Sequence, residues 1–188
     1  MTTLTKDAIK KSFMKLLNRK PVSKITVKEI VEDCGINRNS FYYHYEDIPA
    51  LIEEILNEQA DALLPVNGSN TNIYDCILRA MDFALQNKVA MLHIFQSSNK
   101  DMVERYLSRV ASHTVTEYFD VYFADENIAE DDKQVIIMYY KSLLVGFVIE
   151  WLGCRMKYDL SIQIRRLCEL FEGSTETAVS RCKKNETE

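Results

Sequence analysis

The sequence predicts an all-α protein, and three observations support this fold class. The chain of 188 residues contains only five Gly and three Pro, which favours long helices over a turn-rich β fold. Apolar residues recur at helical spacing along most of the chain, and no stretch alternates convincingly like a half-buried strand. With 47% apolar and 27% charged residues, the chain has the composition of a protein that buries a core.

The first predicted helix begins near Thr5, which is a good N-cap residue. It ends in the segment 18–21, because Pro21 disfavours helix in the residue before it. Its apolar stripe is placed to pack on the segment that follows and to hold that segment rigid; the stripe consists of Ile9, Phe13, Leu16 and Leu17.

Residues 26–45, TVKEIVEDCGINRNSFYYHY, predict two short helices joined by a tight turn. Thr26 and Glu29 have the spacing of a capping box at the start of the first helix. Gly35 ends that helix, since Gly readily takes the left-handed conformation found at helix ends. Asn37 is placed to cap a second helix, residues 38–44. This is the helix-turn-helix pattern, in which the second helix enters the DNA major groove.

The second helix carries an unusual set of side chains for a purely structural element. Helical periodicity turns Phe41 and Tyr45 towards the protein core. The outward residues offer hydrogen-bonding groups and no carboxylate, as a DNA-binding surface requires; they are Arg38, Asn39, Ser40, Tyr43 and His44.

The run from Gly35 to Tyr45, followed by Ala50-Leu51, resembles the signature of the TetR family of bacterial transcriptional regulators (TetR/AcrR type). The resemblance covers about residues 5–56. It implies phosphate contacts by Thr26, Tyr42 and His44. It also implies contacts with bases or the groove backbone by Arg38, Asn39, Ser40 and Tyr43. Three structural alternatives stay open: Thr26 as a cap only, Tyr42 as a core residue and His44 as an ordinary helix-end residue.

The start of the fourth predicted helix departs from the family pattern. Where the family usually has Lys, this chain has Ile48, and Glu46 and Asp47 add negative charge beside it. A phosphate anchor is therefore missing, and the candidates to replace it are Lys6, Lys24 or Lys28. Asp47 is the expected N-cap of this helix, which is predicted to run to about residue 64.

The charge distribution agrees with a DNA-binding head on a separate body. The net charge is −5, which by itself argues against nucleic acid. Residues 1–45, however, hold nine Lys or Arg and four Asp or Glu, a formal charge of +5. The remaining residues hold 14 Lys or Arg and 24 Asp or Glu, a formal charge of −10. We interpret the basic end as the part that approaches DNA.

The segment 65–72, PVNGSNTN, is the best linker in the chain and sets the predicted domain boundary. We predict a DNA-binding domain over residues 1–64, a ligand-sensing and dimerisation bundle over 72–173, and a flexible polar tail over 174–188. The bundle is predicted to contain helices at about 73–86, 88–96, 98–123 and 131–157, with a last helix that ends at 173.

The predicted helix 131–157 is apolar on nearly all sides and must be buried on all sides. A bundle of about 100 residues has little interior for such a helix. One face is therefore expected to meet its own subunit and the other a second copy, with the last helix as the second member of a four-helix dimer interface. The predicted interface residues are Val135, Val145, Val148, Ile149, Leu152, Ile164, Leu167 and Phe171.

The resemblance also implies a ligand cavity inside the body. The candidate lining residues are large side chains with apolar bodies, several of which have polar tips. For each of them ordinary packing is the alternative. They are Met81, Met91, His93, Phe95, Tyr106, His113, Tyr118, Tyr139, Tyr140 and Trp151.

The sequence lacks the signs of several other classes of protein. It has no GxSxG, HExxH or glycine-rich phosphate loop, so we expect no enzyme activity and no cofactor. Its five Cys include no CxxC pair, and the spacing of His93 and His113 does not support a metal site. The segment 135–152 is interrupted by Lys141 and Glu150, which favours a buried helix over a membrane span. We expect a cytoplasmic protein with no membrane partner.

The sequence therefore predicts a homodimeric repressor of a pseudo-palindromic operator in double-stranded DNA, released by an unidentified small-molecule effector. Two alternatives keep the same DNA head: an activator, or a regulator whose signal is thiol oxidation. A remote alternative is a helical adaptor or small enzyme that does not bind DNA.

Overall fold

The computed structural model describes residues 2–63 and 73–185, and in these residues the chain forms ten α-helices, one short 3-10 helix and no strand. The chain divides into two compact units. The first comprises Met1–Ala62 and Phe83–Tyr106, and the second comprises Leu63–Asp82 and Leu107–Glu188. The predicted linker at 65–72 lies outside the described residues. The division also assigns the later segment Phe83–Tyr106 to the N-terminal unit. We call the two units the head and the body.

The helix bounds follow the predicted order. They are α1 (Thr2–Leu17), the 3-10 helix (Val22–Lys24), α2 (Val27–Cys34), α3 (Arg38–His44), α4 (Ile48–Leu63), α5 (Ile73–Gln86), α6 (Lys88–Phe95), α7 (Lys100–Tyr122), α8 (Glu130–Gly153), α9 (Leu160–Leu170) and α10 (Ser174–Asn185). Helix α1 begins before Thr5, and α8 and α9 end before the predicted residues 157 and 173.

The core of the head is formed by the apolar stripes that helical periodicity predicted. Its central side chains have no exposed surface because α1, α2, α3 and α4 turn their apolar faces towards one another. Ser12 is buried among them, and its hydroxyl donates to the carbonyl of Ile30 at 3.0 Å. The fully buried members are Ile9, Phe13, Leu17, Ile30, Phe41, Leu51 and Ile52.

Helix α8 is apolar on most sides, as predicted, but the described part of the chain leaves one of its faces exposed. By length and composition it is long and apolar enough to cross a membrane, and only 22% of its most apolar window is buried. Val135, Met138 and Tyr139 are more than half exposed on one face, while Ile136 and Ile137 are buried on the other. Within residues 2–63 and 73–185, this face of α8 therefore stays uncovered.

Two of the predicted dimer residues need correction. Leu152 and Ile164 are 1% and 2% exposed, so both belong to the core of their own subunit and offer no surface to a second copy. Val135 and Phe171 are exposed. The remaining four, Val145, Val148, Ile149 and Leu167, are partly buried.

The prediction of a flexible tail over 174–188 is wrong for Ser174–Asn185, which form α10. Gly173 has φ 76°, which lets the chain turn sharply between α9 and α10. Val179 of α10 is 3% exposed and packs with Phe119 and Ile136 in one apolar cluster. A mostly polar sequence hides this helix because few side chains carry its packing: Val179, with Ala178 and Cys182 partly buried beside it. Residues 186–188 lie outside the described residues.

Candidate nucleic-acid interface and body cavity

The helix-turn-helix is held by hydrogen bonds between residues close in sequence. The Thr26 hydroxyl accepts from the Glu29 N–H at 3.3 Å, and the Glu29 carboxylate accepts from the Thr26 N–H at 3.0 Å, which confirms the capping box. Gly35 ends α2 in the left-handed conformation with φ 70°, and its N–H donates to the carbonyl of Val31. The turn thus satisfies backbone groups that a helix end leaves free.

Asn37 starts α3 and also engages one of the predicted DNA-binding residues. Its side-chain oxygen accepts from the Ser40 N–H at 2.8 Å and from the Ser40 hydroxyl at 3.0 Å. The Ser40 hydroxyl is therefore committed to the cap in the free protein. The Thr26 hydroxyl is similarly occupied, because it donates to Glu29 at 3.0 Å. Because a DNA phosphate only accepts hydrogen bonds, each hydroxyl contacts one by donating to it in place of its present acceptor.

Helix α3 turns two faces in different directions. Phe41 and Tyr45 are buried, as predicted, whereas Tyr42 is 55% and Tyr43 77% exposed. The core alternative for Tyr42 is therefore wrong. Arg38 and Asn39 are also exposed, and His44 is partly buried with its ring 5.0 Å from that of Tyr43. The outward face offers a guanidinium, an amide and two phenols, which suit phosphates and base edges.

A network of hydrogen bonds and ion pairs around Glu54 anchors the end of α3 to α1 and α4. Glu54 accepts hydrogen bonds from Tyr45 at 3.0 Å, from Lys6 at 2.8 Å and from Lys10 at 2.8 Å. Burial alone raises the pKa of Glu54, but the hydrogen bonds from Lys10, Lys6 and Tyr45 outweigh it and hold that pKa at about 2. Burial, with the hydrogen bond to Glu54, raises the pKa of the Tyr45 phenol. The network therefore holds the C-terminal end of α3 in place through Tyr45.

The same network occupies a lysine that the sequence analysis named as a candidate for phosphate binding. Lys6 pairs with Glu54, so it is not a free replacement for the missing Lys at position 48. Lys28 lies 3.7 Å from Glu32 in an exposed pair that constrains it little. Lys24 is exposed and has no ion pair within residues 2–63 and 73–185. Of the three candidates, Lys24 is the most available to a phosphate.

In the body, a cavity of about 320 Å³ lies among α7, α8, α9 and the turn into α10. Three of the ten predicted pocket residues, Tyr118, Tyr139 and Tyr140, line it. The Tyr140 hydroxyl shares hydrogen bonds with the hydroxyls of Ser174 at 3.0 Å and Thr175 at 2.7 Å. These bonds fix the wall that α10 contributes. The full lining is Val115, Tyr118, Phe119, Tyr139, Tyr140, Leu143, Leu144, Ile164, Leu167, Cys168, Phe171, Glu172, Gly173, Ser174, Thr175 and Glu176.

The other seven predicted pocket residues do not line this cavity, and two have clear structural roles. His93 Nδ1 lies 2.7 Å from the carbonyl oxygen of Leu17 within the head. Trp151 is fully buried and its indole N–H donates to the carbonyl of Tyr158 at 2.8 Å. The remaining five predicted residues also lie outside the lining of this cavity; they are Met81, Met91, Phe95, Tyr106 and His113.

The lining contributed by residues 172–176 was missed because the sequence reading placed 174–176 in a polar tail. The signal available was Gly173 followed by Ser174, a helix stop followed by a possible N-cap. Among the described residues, no group of three His, Cys, Asp or Glu side chains is arranged to hold a metal ion.

Comparison with known proteins assigns the two parts of the chain separately. Residues 13–55 match the family described as bacterial regulatory proteins, tetR family. Residues 71–173 match the family described as transcriptional regulator C-terminal region of the TetR type. This chain belongs to the TetR family. The TetR-family assignment makes it a transcriptional regulator with a helix-turn-helix DNA-binding domain rather than an enzyme.

Individual TetR-like relatives agree with this assignment. The chain is 33% identical over 55 residues to an uncharacterized HTH-type transcriptional regulator, YxbF, of Bacillus subtilis (strain 168). That match covers 29% of this chain and 14% of YxbF, so it concerns a small part of the relative.

Two solved structures share the fold over nearly the whole chain. The dihydroxyacetone kinase operon activator DhaS superposes with a TM-score of 0.70 at 15% identity, covering 96% of this chain and 97% of DhaS. A TetR transcriptional regulator from Rhodococcus sp. RHA1 superposes with a TM-score of 0.55 at 15% identity, covering 89% and 96% of the two chains. At this identity they show that the all-α architecture is shared.

Proposed function

We propose that the protein is a cytoplasmic, homodimeric repressor that binds a pseudo-palindromic operator and leaves it when a small molecule enters the body cavity. One observation carries the DNA-binding part: α3 turns Arg38, Asn39, Tyr42 and Tyr43 outward while Phe41 and Tyr45 hold it from inside. Side chains of this kind, on a rigid helix, can reach base edges and phosphates in a major groove.

The uncovered face of α8 supports the homodimer. An apolar face with Val135, Met138 and Tyr139 more than half exposed is costly in water, and a second copy of α8 would cover it. Ser142 and Gly146 are exposed further along the same helix, and a Cβ at Gly146 would meet no atom within 4 Å. Small residues there would let two helices approach closely. Such a dimer presents two α3 helices, which can enter successive major grooves about 34–36 Å apart.

The body cavity supports release by an effector. Its volume of about 320 Å³ and its mainly apolar lining with a few polar groups are those of a small-molecule site. Leu167 and Phe171 belong both to this lining and to the predicted dimer interface. An occupant that favours one pairing of the two subunits would shift the population towards heads with the wrong spacing for the operator.

The proposal is tested by titrating duplex DNA from the region upstream of the protein's own gene and following fluorescence anisotropy. We expect saturable binding that weakens steeply with salt, because phosphate contacts release counterions. Arg38→Ala should weaken binding by roughly tenfold to 100-fold, as expected for one lost base or phosphate contact. Binding that is unchanged in Arg38→Ala would contradict the proposed role of α3.

A matched control separates the DNA surface from general charge loss. Arg166 is exposed on α9 and pairs with Glu169 at 2.8 Å within the body. Arg166→Ala removes the same chemical group from the chain, and we expect it to leave DNA affinity within about twofold, since exposed pairs contribute little.

An activator is the second candidate, because DhaS, which shares the fold, carries the name of an operon activator. The sign of regulation depends on where the operator lies relative to the promoter, so the same head serves both roles. A reporter gene behind the bound DNA distinguishes them: deletion of the protein raises expression for a repressor and lowers it for an activator.

Thiol oxidation as the signal receives less support from three of the four described cysteines. Cys34 donates its S–H to the carbonyl of Ile30 at 3.0 Å, and burial raises the pKa of its thiol. The pKa of Cys154 is raised by its hydrogen bond to Glu150, and burial raises that of Cys182. A raised pKa lowers the thiolate fraction that reacts with oxidants. DNA release unchanged after replacement of all five Cys would remove this alternative.

A further inference from the structure

The lining of the body cavity combines several aromatic rings with negatively charged side chains and contains no cationic side chain. Five of its sixteen lining residues are aromatic. They come from α7, from α8 and from the residue that follows α9, so more than one wall of the cavity carries a ring. The aromatic residues are Tyr118, Phe119, Tyr139, Tyr140 and Phe171.

The charge of the lining comes from two carboxylates near the turn into α10. Glu172 and Glu176 are both exposed at the rim, and the lining contains no Lys, Arg or His. In the part of the chain that the structure describes, neither carboxylate has a cationic partner. The negative charge of Glu176 also reaches the interior, since burial and then Glu176 raise the pKa of the Tyr118 phenol.

These features select among classes of small molecule. Aromatic faces attract cations through the negative charge of their π-systems, and more strongly so where water is excluded. Two rim carboxylates attract the same ligands and repel anions. The aliphatic part of the lining, with Val115, Leu143 and Leu144, requires an apolar body as well. A neutral apolar molecule would gain nothing from the carboxylates.

We propose that the effector bound in this cavity is an organic cation with an apolar body, of the quaternary ammonium or protonated amine class. The cationic group lies at the rim between Glu172 and Glu176, and the apolar body enters between the rings of Tyr118, Tyr139 and Tyr140. This inference rests on the proposal that the body cavity receives the effector, and it adds the chemical class of that effector.

Three probes with one shared 3-phenylpropyl body test the charge preference: (3-phenylpropyl)trimethylammonium, 4-phenylbutanamide and 4-phenylbutyrate. Titration calorimetry of the full chain should give the cation the highest affinity, at least about tenfold above the amide, and the carboxylate the lowest. 3-Phenylpropylamine distinguishes the two cation types, because it carries a primary ammonium on the same body. Two results would overturn the proposal. One is an amide that binds as tightly as the cation, and the other is a cation that shows no binding at a concentration of about 1 mM.

Variants locate the site. The double variant Glu172→Gln/Glu176→Gln should lose most of the preference for the cation over the amide while keeping affinity for the amide. Glu169→Gln is the matched control, because Glu169 is an exposed carboxylate near the end of α9, pairs with Arg166 and does not line the cavity. Phe171→Leu keeps the lining apolar but removes one aromatic ring. It should lower the affinity for the cation and leave the affinity for the amide unchanged. Cation affinity unchanged in the double variant contradicts the site.

Operator binding is measured on the same protein, so the two proposals fail separately. A chain that binds operator DNA but ignores the cation retains the regulator proposal and loses this inference. A chain that binds the cation but no DNA loses the regulator proposal and retains the ligand class.

Discussion

The head and the body differ in how completely one chain accounts for them. In the head, the apolar faces of α1 to α4 meet one another and leave Ile9, Phe13, Phe41 and Leu51 with no exposed surface. In the body, α8 is as apolar as a core helix, yet Val135 and Tyr139 remain more than half exposed. Contacts within the chain account for the core of the head, whereas the described residues leave an apolar face of the body exposed.

This difference teaches where each kind of residue exerts its effect. A buried residue of the head should act on the stability of the monomer, while an exposed apolar residue of α8 should act on assembly. The predictions that follow test that division, in order of decreasing expected effect.

Phe41→Ala should cause the largest loss, about 3–5 kcal/mol of unfolding free energy, because it leaves a cavity where a fully buried ring stood. Urea unfolding followed by circular dichroism measures the change. Tyr43→Ala is the control: the neighbouring aromatic is 77% exposed and should cost less than about 1 kcal/mol. Equal losses in the two variants would contradict the inward and outward faces of α3.

Val135→Glu should convert the proposed dimer into a monomer, since pairing would bury a charge against an apolar face. Loss of the coupled second head should then weaken operator binding by about 100-fold or more. Sedimentation velocity at micromolar concentration and DNA titration are the measurements. Val121→Glu is matched to it, with 57% exposure on α7 against 58% for Val135, and we expect it to remain dimeric. A dimeric Val135→Glu protein removes α8 from the interface.

Glu54→Gln should cost about 1–2 kcal/mol at pH 7, a figure reduced for its partial exposure of 27%. The pKa of Glu54 lies at about 2 in the folded chain against an ordinary value of 4.5. The depressed pKa means that its stabilisation is complete above about pH 4.5 and disappears as the pH falls towards 2.

Urea unfolding at several pH values should therefore show the gap between wild type and Glu54→Gln narrowing across that window. Glu53→Gln serves as the control, because Glu53 is more exposed and lies 3.9 Å from Arg105. A gap for Glu54→Gln that stays constant down to pH 2 would show that the network contributes through packing alone.

Thr26→Ala should have the smallest effect, about 1 kcal/mol, through loss of the cap of α2. Thr26→Ser keeps a hydroxyl and should restore most of that stability. The DNA affinities of these two variants test the second role: a phosphate contact predicts that Thr26→Ala binds more weakly than Thr26→Ser under conditions where both are folded. Equal affinities leave Thr26 as a cap only.

The elements that the sequence predicted well depend on signals within a few residues. The capping box of Thr26, the Asn37 cap and the turn at Gly35 each involve partners at most four residues apart, and all three are present. The Lys6–Glu54 pair joins residues 48 positions apart. No local pattern indicates such a pair, so the sequence reading treated Lys6 as free for DNA.

The residues that line the cavity were also only partly predictable from local sequence signals. Aromatic composition identified Tyr118, Tyr139 and Tyr140, but it equally suggested Trp151 and His93, whose polar atoms bond to backbone carbonyls. Whether a tyrosine lines a space or fills one depends on the helices around it. Helix α10 was missed because its sequence is mostly polar and its packing depends on a few side chains around Val179.

Helix α10 also has a consequence for how new specificities arise. The matched family region ends at residue 173, while Ser174, Thr175 and Glu176 form part of the cavity wall. If the cavity receives the effector as proposed, a short segment beyond the matched family region contributes to the choice of ligand. Exchange of this segment between related regulators would retune recognition without disturbing the DNA-reading half, a simple route to divergence and to engineered biosensors.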